Sequence, residues 1–150
     1  MKRINVTVFA AILALLLING ACGSNSSRAE QKEAAPQKVQ EAAEGNVLVT
    51  NNLDIDFSKH LVTFIELGAD KCIPCKAMQP IMKEIAAEYK GKVQVVFYDV
   101  WKDPEPARKY GIQLIPTQVF IDKNGKEVFR HIGLFPKAAI VEFLKKQGIN

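Results

Sequence analysis

Residues 93–100 carry a nearly continuous run of apolar side chains, and this run restricts the fold more than any other segment. A strand with one face in water alternates apolar and polar residues, so this run predicts a strand buried on both faces. Such a strand needs covering elements on each side of its sheet. With 150 residues, 48% of them hydrophobic and 24% charged, the chain suits one folded domain and is not disordered throughout.

Strand and helix patterns alternate around this run. Residues 61–67 are rich in β-branched and aromatic side chains, and residues 75–90 place apolar side chains at helical spacing. The turn sequence DKNG at 122–125 predicts a hairpin. The predicted strands are 47–53, 61–67, 93–100, 117–121 and 127–132, and the predicted helices are 75–90, a short one at 103–111, and a last one that Pro136 opens. We therefore expect an α/β fold with a mixed central sheet flanked by helices.

The first 21 residues have the pattern of an export signal. Lys2 and Arg3 precede residues 4–18, which are apolar except for Asn5 and Thr7, and this run is shorter than the roughly 20 residues that a spanning helix needs. Gly20 and Ala21 are the small residues expected before a cleavage site. We predict a signal peptide over 1–21, and an uncleaved N-terminal anchor is the alternative.

Residues 22–45 change composition abruptly to Ser, Asn, Gln, Glu, Ala and Lys, with Val39 as the one aliphatic residue larger than alanine. Such a stretch cannot bury enough apolar surface to offset its loss of conformational entropy on ordering. We predict a flexible tether over 22–45 and a working domain over 46–150.

The charge balance gives little support for an anionic partner. The chain carries 20 Lys+Arg and 16 Asp+Glu residues, a net charge of +4, and removal of residues 1–21 would lower it to +2. Nucleic acid binding needs a clustered basic patch, and here the basic residues are scattered. We expect no nucleic acid partner and a monomeric protein.

Cys72 and Cys75 are separated by two residues and lie between a predicted strand and a predicted helix. The start of a helix presents unpaired N–H groups and partial positive charge, which stabilise a thiolate. Cys72 is therefore the candidate nucleophile, and Cys75, one turn along, is the candidate resolving thiol that attacks a mixed disulfide. Pro74 suits the first helical turn, where an N–H is not needed.

Other uses of a C-x-x-C pair need residues that this chain mostly lacks. A zinc site needs a second pair, and only His60 and His131 are present. Haem attachment needs His directly after the second cysteine, where Lys76 stands. Copper(I) held by both thiolates stays an alternative, provided that His131 approaches Cys72.

Several further motifs, in this order, resemble the thioredoxin family. They are Lys76 after the cysteine pair, Pro80 within the helix, Lys109-Tyr110-Gly111-Ile112, Ile115-Pro116-Thr117, Asn124-Gly125 and Gly133. The resemblance implies a thioredoxin-like fold and thiol–disulfide oxidoreductase activity with no cofactor besides the redox-active Cys72–Cys75 disulfide. It also implies that Ile115 and Pro116 form a cis-proline loop that pairs with the substrate backbone. Ile73, Pro74 and Gly133 would complete the substrate-binding surface.

Four positions depart from the thioredoxin pattern. Lys71 stands where thioredoxins have Trp, Ile73 stands where they have Gly, and Phe97 replaces a lysine. Glu66 stands where thioredoxin has a buried Asp, and relatives that act in cytochrome c maturation also carry Glu there. Burial would raise the pKa of Glu66 and suit it to proton transfer with Cys75, whereas a surface glutamate is the alternative.

Residues 18–22, Ile-Asn-Gly-Ala-Cys, resemble the lipobox of bacterial lipoproteins. The resemblance implies that Cys22 is lipidated, although Asn19 stands where the pattern usually has an aliphatic residue. An ordinary signal followed by a stray cysteine is the alternative.

Together these features predict a lipid-anchored oxidoreductase on the extracytoplasmic side of a bacterial membrane, in the periplasm or at the cell surface. Its partners would be client proteins with disulfides, with apocytochrome c among the candidates. Resemblance to extracytoplasmic thioredoxins implies a transmembrane thiol electron carrier that recharges it. The direction, reductive or disulfide-forming, stays open because it depends on the reduction potential.

Overall fold

The computed structural model describes residues 45–150, whose elements alternate as the sequence predicts. The strands are β1 (Val47–Val49), β2 (Val62–Gly68), β3 (Val93–Asp99), β4 (Thr117–Asp122) and β5 (Glu127–Ile132). The helices are α1 (Ile73–Glu88), α2 (Glu105–Lys109) and α3 (Lys137–Lys146), and a single 3-10 turn spans Phe57–Lys59.

The five strands form one mixed sheet in the order β1-β3-β2-β4-β5. β1, β3 and β2 are parallel, while β4 is antiparallel to both β2 and β5. Parallel neighbours need a crossover connection, and α1 provides it between β2 and β3. The predicted α/β fold with a mixed sheet is confirmed. This topology puts the start of α1 next to the carboxyl end of the central strand β2.

Side chains from the two faces of the sheet form two separate cores. One core packs α1 and α3 against the sheet through residues such as Met78, Met82, Ile140 and Leu144. The other core lies on the opposite face, where Phe57 and Tyr110 cover it. In β3 every residue except Gln94 is buried, which confirms the strand covered on both faces.

The first strand is shorter than predicted and ends at Val49 instead of residue 53. The Thr50 hydroxyl accepts a hydrogen bond from the Asn52 N–H at 3.0 Å, and the Asn52 side chain accepts one from the Asp54 N–H at 2.8 Å. These local hydrogen bonds replace strand pairing. Helix α1 begins two residues earlier than predicted, at Ile73, which places Cys72 at its N-cap.

The predicted signal peptide over 1–21, the predicted lipidation site Cys22 and all of the predicted tether but its last residue lie outside the described residues. Across residues 45–150, no helix has the length and apolar character needed to cross a membrane.

Candidate active site

Cys72 caps the N-terminus of α1. Its backbone is extended, with φ −81° and ψ 119°, and its sulfur accepts a hydrogen bond from the Cys75 N–H at 3.3 Å. Its carbonyl oxygen accepts the first helical hydrogen bond, from the Lys76 N–H at 3.0 Å. The N–H donor and the helix dipole both favour negative charge on the Cys72 sulfur, so this thiol is placed to ionise when reduced.

Cys72 and Cys75 are joined in a disulfide, with their Cα atoms 5.2 Å apart. Cys72 is 8% exposed, whereas Cys75 is completely buried. An incoming thiol or disulfide can therefore reach the outer sulfur and not the inner one. This difference in exposure is compatible with attack at Cys72 followed by internal resolution by Cys75.

Asp99, the last residue of β3, fixes the loop that leads to Cys72. Its carboxylate accepts hydrogen bonds from the N–H of Asp70 at 3.3 Å and from the N–H of Trp101 at 3.1 Å. Burial raises the pKa of Asp99, but these donors and Lys102 outweigh it, so the pKa is lowered overall. The Trp101 side chain itself is 62% exposed, beside this loop.

Glu66 lies in β2 and is completely buried, which excludes the surface alternative. Its Oε2 accepts a hydrogen bond from Gln118 Nε2 at 2.9 Å, and its Oε1 has no hydrogen-bond partner among the described residues. Burial raises the pKa of Glu66 to about 8, although the Gln118 hydrogen bond opposes the rise. A carboxyl group with this pKa can exchange a proton with a thiol near neutral pH.

Gly68 lets Cys75 pack on the strand that carries Glu66. A side-chain carbon built at Gly68 would lie 3.1 Å from Cys75 Cβ, 3.3 Å from Cys75 Sγ and 3.1 Å from Phe97 Cε2. Glu66 and Gly68 are two residues apart on one strand, so they face the same side of the sheet. Cys75 therefore lies one side-chain step along β2 from the buried acid, and Phe97 is the register neighbour of Glu66.

The Ile115–Pro116 peptide bond is cis, and Pro116 is buried. Ile115 packs against the cluster formed by Ala69, Cys72 and Cys75. The Pro116 carbonyl accepts a hydrogen bond from the Gly133 N–H at 2.8 Å. The structure thus brings Ile115, Pro116 and Gly133 together beside the cysteines.

The two residues between the cysteines face solvent. Ile73 is 83% exposed, and Pro74 is exposed as well. Leu114, just before the cis-proline loop, and Leu134, just after Gly133, are also exposed apolar side chains. The predicted substrate-binding positions therefore border an accessible apolar surface.

Comparisons with known proteins agree with the fold and identify the family. The family model described as Thioredoxin matches residues 44–146. This chain belongs to the thioredoxin family. Thioredoxin from Staphylococcus aureus is 35% identical over 96 residues, covering 62% of this chain and 91% of that protein. With its cysteine pair in place, this thioredoxin family member is a thiol–disulfide oxidoreductase.

Solved thioredoxin structures resemble this fold. A mutant thioredoxin from Halobacterium salinarum has a TM-score of 0.64 at 25% identity, covering 71% of this chain and 94% of that one. Thioredoxin f from spinach chloroplast has a TM-score of 0.61 at 23% identity, covering 72% of this chain and 98% of that one, and this likeness concerns the fold alone.

Two residues of this thioredoxin site were not singled out from the sequence. Asp99 fixes the loop before Cys72, and Gln118 is the hydrogen-bond partner of Glu66. The available signals were an acid at the end of an apolar strand and an amide directly after the Pro-Thr of the cis-proline loop. Neither pattern reveals which group the residue contacts, because the Asp70 N–H and the Glu66 carboxyl lie in other segments of the chain.

The two histidines of this family member make local contacts of their own. His131 lies on the edge strand β5, where its ring stacks on Phe135 at a centroid distance of 4.3 Å and its Nε2 lies 3.3 Å from the Leu134 carbonyl oxygen. His60 follows the 3-10 turn. Within residues 45–150, no three His, Cys, Asp or Glu side chains are grouped so that they could hold a metal ion.

Proposed function

We propose that this thioredoxin family member reduces disulfides in client proteins on the extracytoplasmic side of a bacterial membrane. The observation that carries the proposal is the asymmetry of the cysteine pair, with an outer sulfur at a helix N-cap and an inner sulfur fully buried. This asymmetry favours a cycle in which the client forms a mixed disulfide with Cys72 and is released when Cys75 attacks that disulfide.

In the reductive cycle, the Cys72 thiolate attacks one sulfur of the client disulfide. The client S–S bond breaks, a Cys72–client disulfide forms, and the first client sulfur leaves as a thiolate that takes up a proton. Cys75 then loses its proton and attacks the Cys72 sulfur. The mixed disulfide breaks, the second client thiolate leaves and is protonated, and the enzyme holds the Cys72–Cys75 disulfide. Two electrons pass from the enzyme dithiol to the client.

Glu66 is the proposed acceptor of the Cys75 proton. A buried thiol is a poor nucleophile until it is deprotonated, and water has no access to the fully buried Cys75. The Glu66 carboxylate lies one strand step from the Cys75 side chain, and its pKa of about 8 is close to that of a thiol. Ile73, Pro74 and the cis-proline loop would hold the client against Cys72.

The proposed location and partners rest on the N-terminal sequence. The export signal and a lipidated Cys22 would anchor the domain, because two or more acyl chains give stable membrane binding. Each turnover leaves the enzyme oxidised, so a reductive cycle outside the cytoplasm needs a transmembrane thiol electron carrier. Clients would be exported proteins with disulfides, with apocytochrome c among the candidates, and the enzyme would act as a monomer.

A trapping variant tests the function. Cys75→Ser retains the attacking thiol and lacks the resolving one, so it should accumulate mixed disulfides with exported proteins in cells. Cys72→Ser is the matched control and should trap none. The proposal is abandoned if Cys75→Ser captures no more protein than Cys72→Ser.

The direction and the anchor have separate tests. A Cys72–Cys75 reduction potential near or below about −250 mV supports the reductant, and one near about −120 mV supports a disulfide-forming oxidase instead. A Cys22→Ala variant should move from the membrane fraction to the soluble fraction of the same cell compartment. Unchanged membrane association would contradict lipid anchoring at Cys22.

A further inference from the structure

Gln118 joins two parts of the site that are far apart in sequence. It lies in β4, two residues after Pro116, and is completely buried. Its Nε2 donates to Glu66 Oε2 at 2.9 Å and to the Gly133 carbonyl oxygen at 3.0 Å. A primary amide has two N–H donors, so these two acceptors use both of them.

The orientation of this amide follows from its partners. The Gly133 carbonyl can only accept a hydrogen bond, so the nitrogen of the Gln118 amide must face it. The same nitrogen then faces Glu66, whose Oε2 accepts from it. Glu66 Oε1 has no hydrogen-bond partner among residues 45–150, so Gln118 is the one side chain in this range that is seen to hydrogen-bond to the Glu66 carboxyl.

Strand register explains why these groups meet. Glu66 on β2 pairs with Gln118 on β4, and Gln118 pairs with His131 on β5. Paired residues in neighbouring strands project from the same face of a sheet. Gly133 follows β5 directly, and its carbonyl oxygen lies within hydrogen-bond distance of the Gln118 amide.

We propose that Gln118 is a positioning residue for thiol–disulfide exchange, which holds the Glu66 carboxyl and the Gly133 backbone of the substrate-binding groove in one hydrogen-bonded unit. The inference rests on the proposed role of Glu66 as proton acceptor. Gln118 touches neither the cysteines nor the client in this scheme, and it acts through the two groups that it holds.

The chemistry of the bridge follows from its donors. An N–H donor stabilises a carboxylate more than a neutral carboxyl group, so Gln118 favours the ionised form of Glu66, the form that can accept the Cys75 proton. The titratable groups at this end of the face are Glu66 on β2, Asp99 on β3 in register with Gly68, the two cysteines at the start of α1, and His131 on β5. Strand β3 contributes Phe97, and α3 faces the sheet with Ile140 and Leu144.

The direct test is an NMR titration of the Glu66 side-chain carboxyl carbon in the oxidised protein, where Cys72 and Cys75 carry no titrating thiol. Gln118→Met has nearly the same shape and no N–H donor. We expect it to raise the pKa of Glu66 by roughly one to two units. Gln94→Met on β3 is the matched control, since Gln94 pairs with Thr63 on the other face of the sheet and should leave the titration unchanged.

A second NMR signal tests whether Glu66 is coupled to the Gly133 backbone of the substrate-binding groove. The Leu134 N–H belongs to the same peptide group as the Gly133 carbonyl, so its resonance should follow the Glu66 titration in the native protein. It should lose that dependence in Gln118→Met. A His131→Phe background removes the neighbouring histidine from the measurement. Gln118→Asn is a second variant, one methylene too short to span both acceptors, and should weaken both signals.

The kinetic test is a double-mutant cycle on the resolution step, measured as release of a thiol from a Cys72 mixed disulfide with a model peptide. Gln118→Met should slow resolution near neutral pH, and the effect should vanish in a Glu66→Gln background. An unchanged Glu66 titration in Gln118→Met, or an equal slowing in both backgrounds, overturns the proposal alone. A native resolution rate in Glu66→Gln overturns the proton role of Glu66 and the inference with it.

Discussion

Two neighbouring rows of side chains cross the same face of the sheet and differ in almost every property. The first, here called the aromatic row, comprises Val95, Phe64, Phe120 and Phe129 in register across β3, β2, β4 and β5. The second, here called the polar row, lies two residues further along and comprises Phe97, Glu66, Gln118 and His131.

The aromatic row is filled by ring contacts. Phe64 stacks on Phe120 at a centroid distance of 4.7 Å, and Phe120 also contacts Phe129 at 5.8 Å and Phe143 at 4.8 Å. The polar row instead contains two buried oxygens without hydrogen-bond partners among the described residues, Glu66 Oε1 and Gln118 Oε1. Because unpaired buried oxygens destabilise a fold, the polar row lowers stability beside the cysteines while its neighbour raises it.

The aromatic row can be broken at its centre. Phe120→Ala removes a completely buried ring with four aromatic neighbours and should lower the free energy of unfolding by about 3–5 kcal/mol. Denaturant unfolding measures the loss. Phe57→Ala, at a half-buried ring on the other face, should cost clearly less. Equal losses would show that the aromatic row has no special weight in the core.

The polar row can be tested by removing its buried titratable group, the Glu66 carboxyl. Glu66 holds its proton up to about pH 8 in the folded protein, whereas the unfolded chain releases it above an ordinary pKa of 4.5. The unfolded state is therefore favoured progressively as pH rises between these values, and stability falls. Glu66→Gln should abolish this fall. The free energy of unfolding of the variant, relative to that of the native protein, should therefore rise by on the order of 4 kcal/mol between pH 5 and pH 8.5.

Unfolding of the oxidised protein at several pH values measures that difference. The exposed Glu142→Gln is the control and should follow the native pH dependence. Parallel curves for Glu66→Gln and the native protein would contradict a raised pKa at Glu66.

Gly68, next to the polar row on the side of the cysteines, has no room for a larger side chain. Gly68→Ala would place a methyl group 3.1 Å from both Cys75 Cβ and Phe97 Cε2 and should destabilise the protein by roughly 1–3 kcal/mol. Phe97→Leu removes one of these contacts, so the double variant should recover part of the loss in thermal unfolding. Strict additivity of the two changes would rule out this steric coupling.

His131, the residue of the polar row on the edge strand β5, should contribute least to stability. His131 is half-buried and stacks on Phe135, so His131→Phe keeps the ring contact and should change stability by less than about 1 kcal/mol. Circular dichroism during heating tests this. A larger loss would mean that the histidine nitrogens contribute to the fold.

Local patterns predicted much of this molecule. The apolar run at 93–100 predicted a strand covered on both faces, and the alternation of elements predicted the mixed sheet. The spacing of Cys72 and Cys75 placed them at a helix start because that inference needs only neighbouring residues. The short β1 was mispredicted because the hydrogen bonds of Thr50 and Asn52 compete with strand pairing.

The missed residues depend on contacts between distant segments. Gln118 meets Glu66, 52 residues away, only because β4 pairs with β2 in one particular register. Asp99 reaches the Asp70 N–H only because β3 ends beside the loop that leaves β2. A one-residue shift in register would turn Gln118 to the opposite face, and no pattern within β4 alone fixes that choice.

The N-cap position of Cys72 makes one backbone amide a natural redox indicator. The Cys75 N–H points at the sulfur whose charge changes when the enzyme takes up or gives away electrons. Electron density gained at that sulfur strengthens the hydrogen bond, and the amide should exchange with deuterium more slowly. The ratio of reduced to oxidised enzyme can therefore be measured from deuterium exchange at the Cys75 amide alone, without a reagent that consumes the thiols.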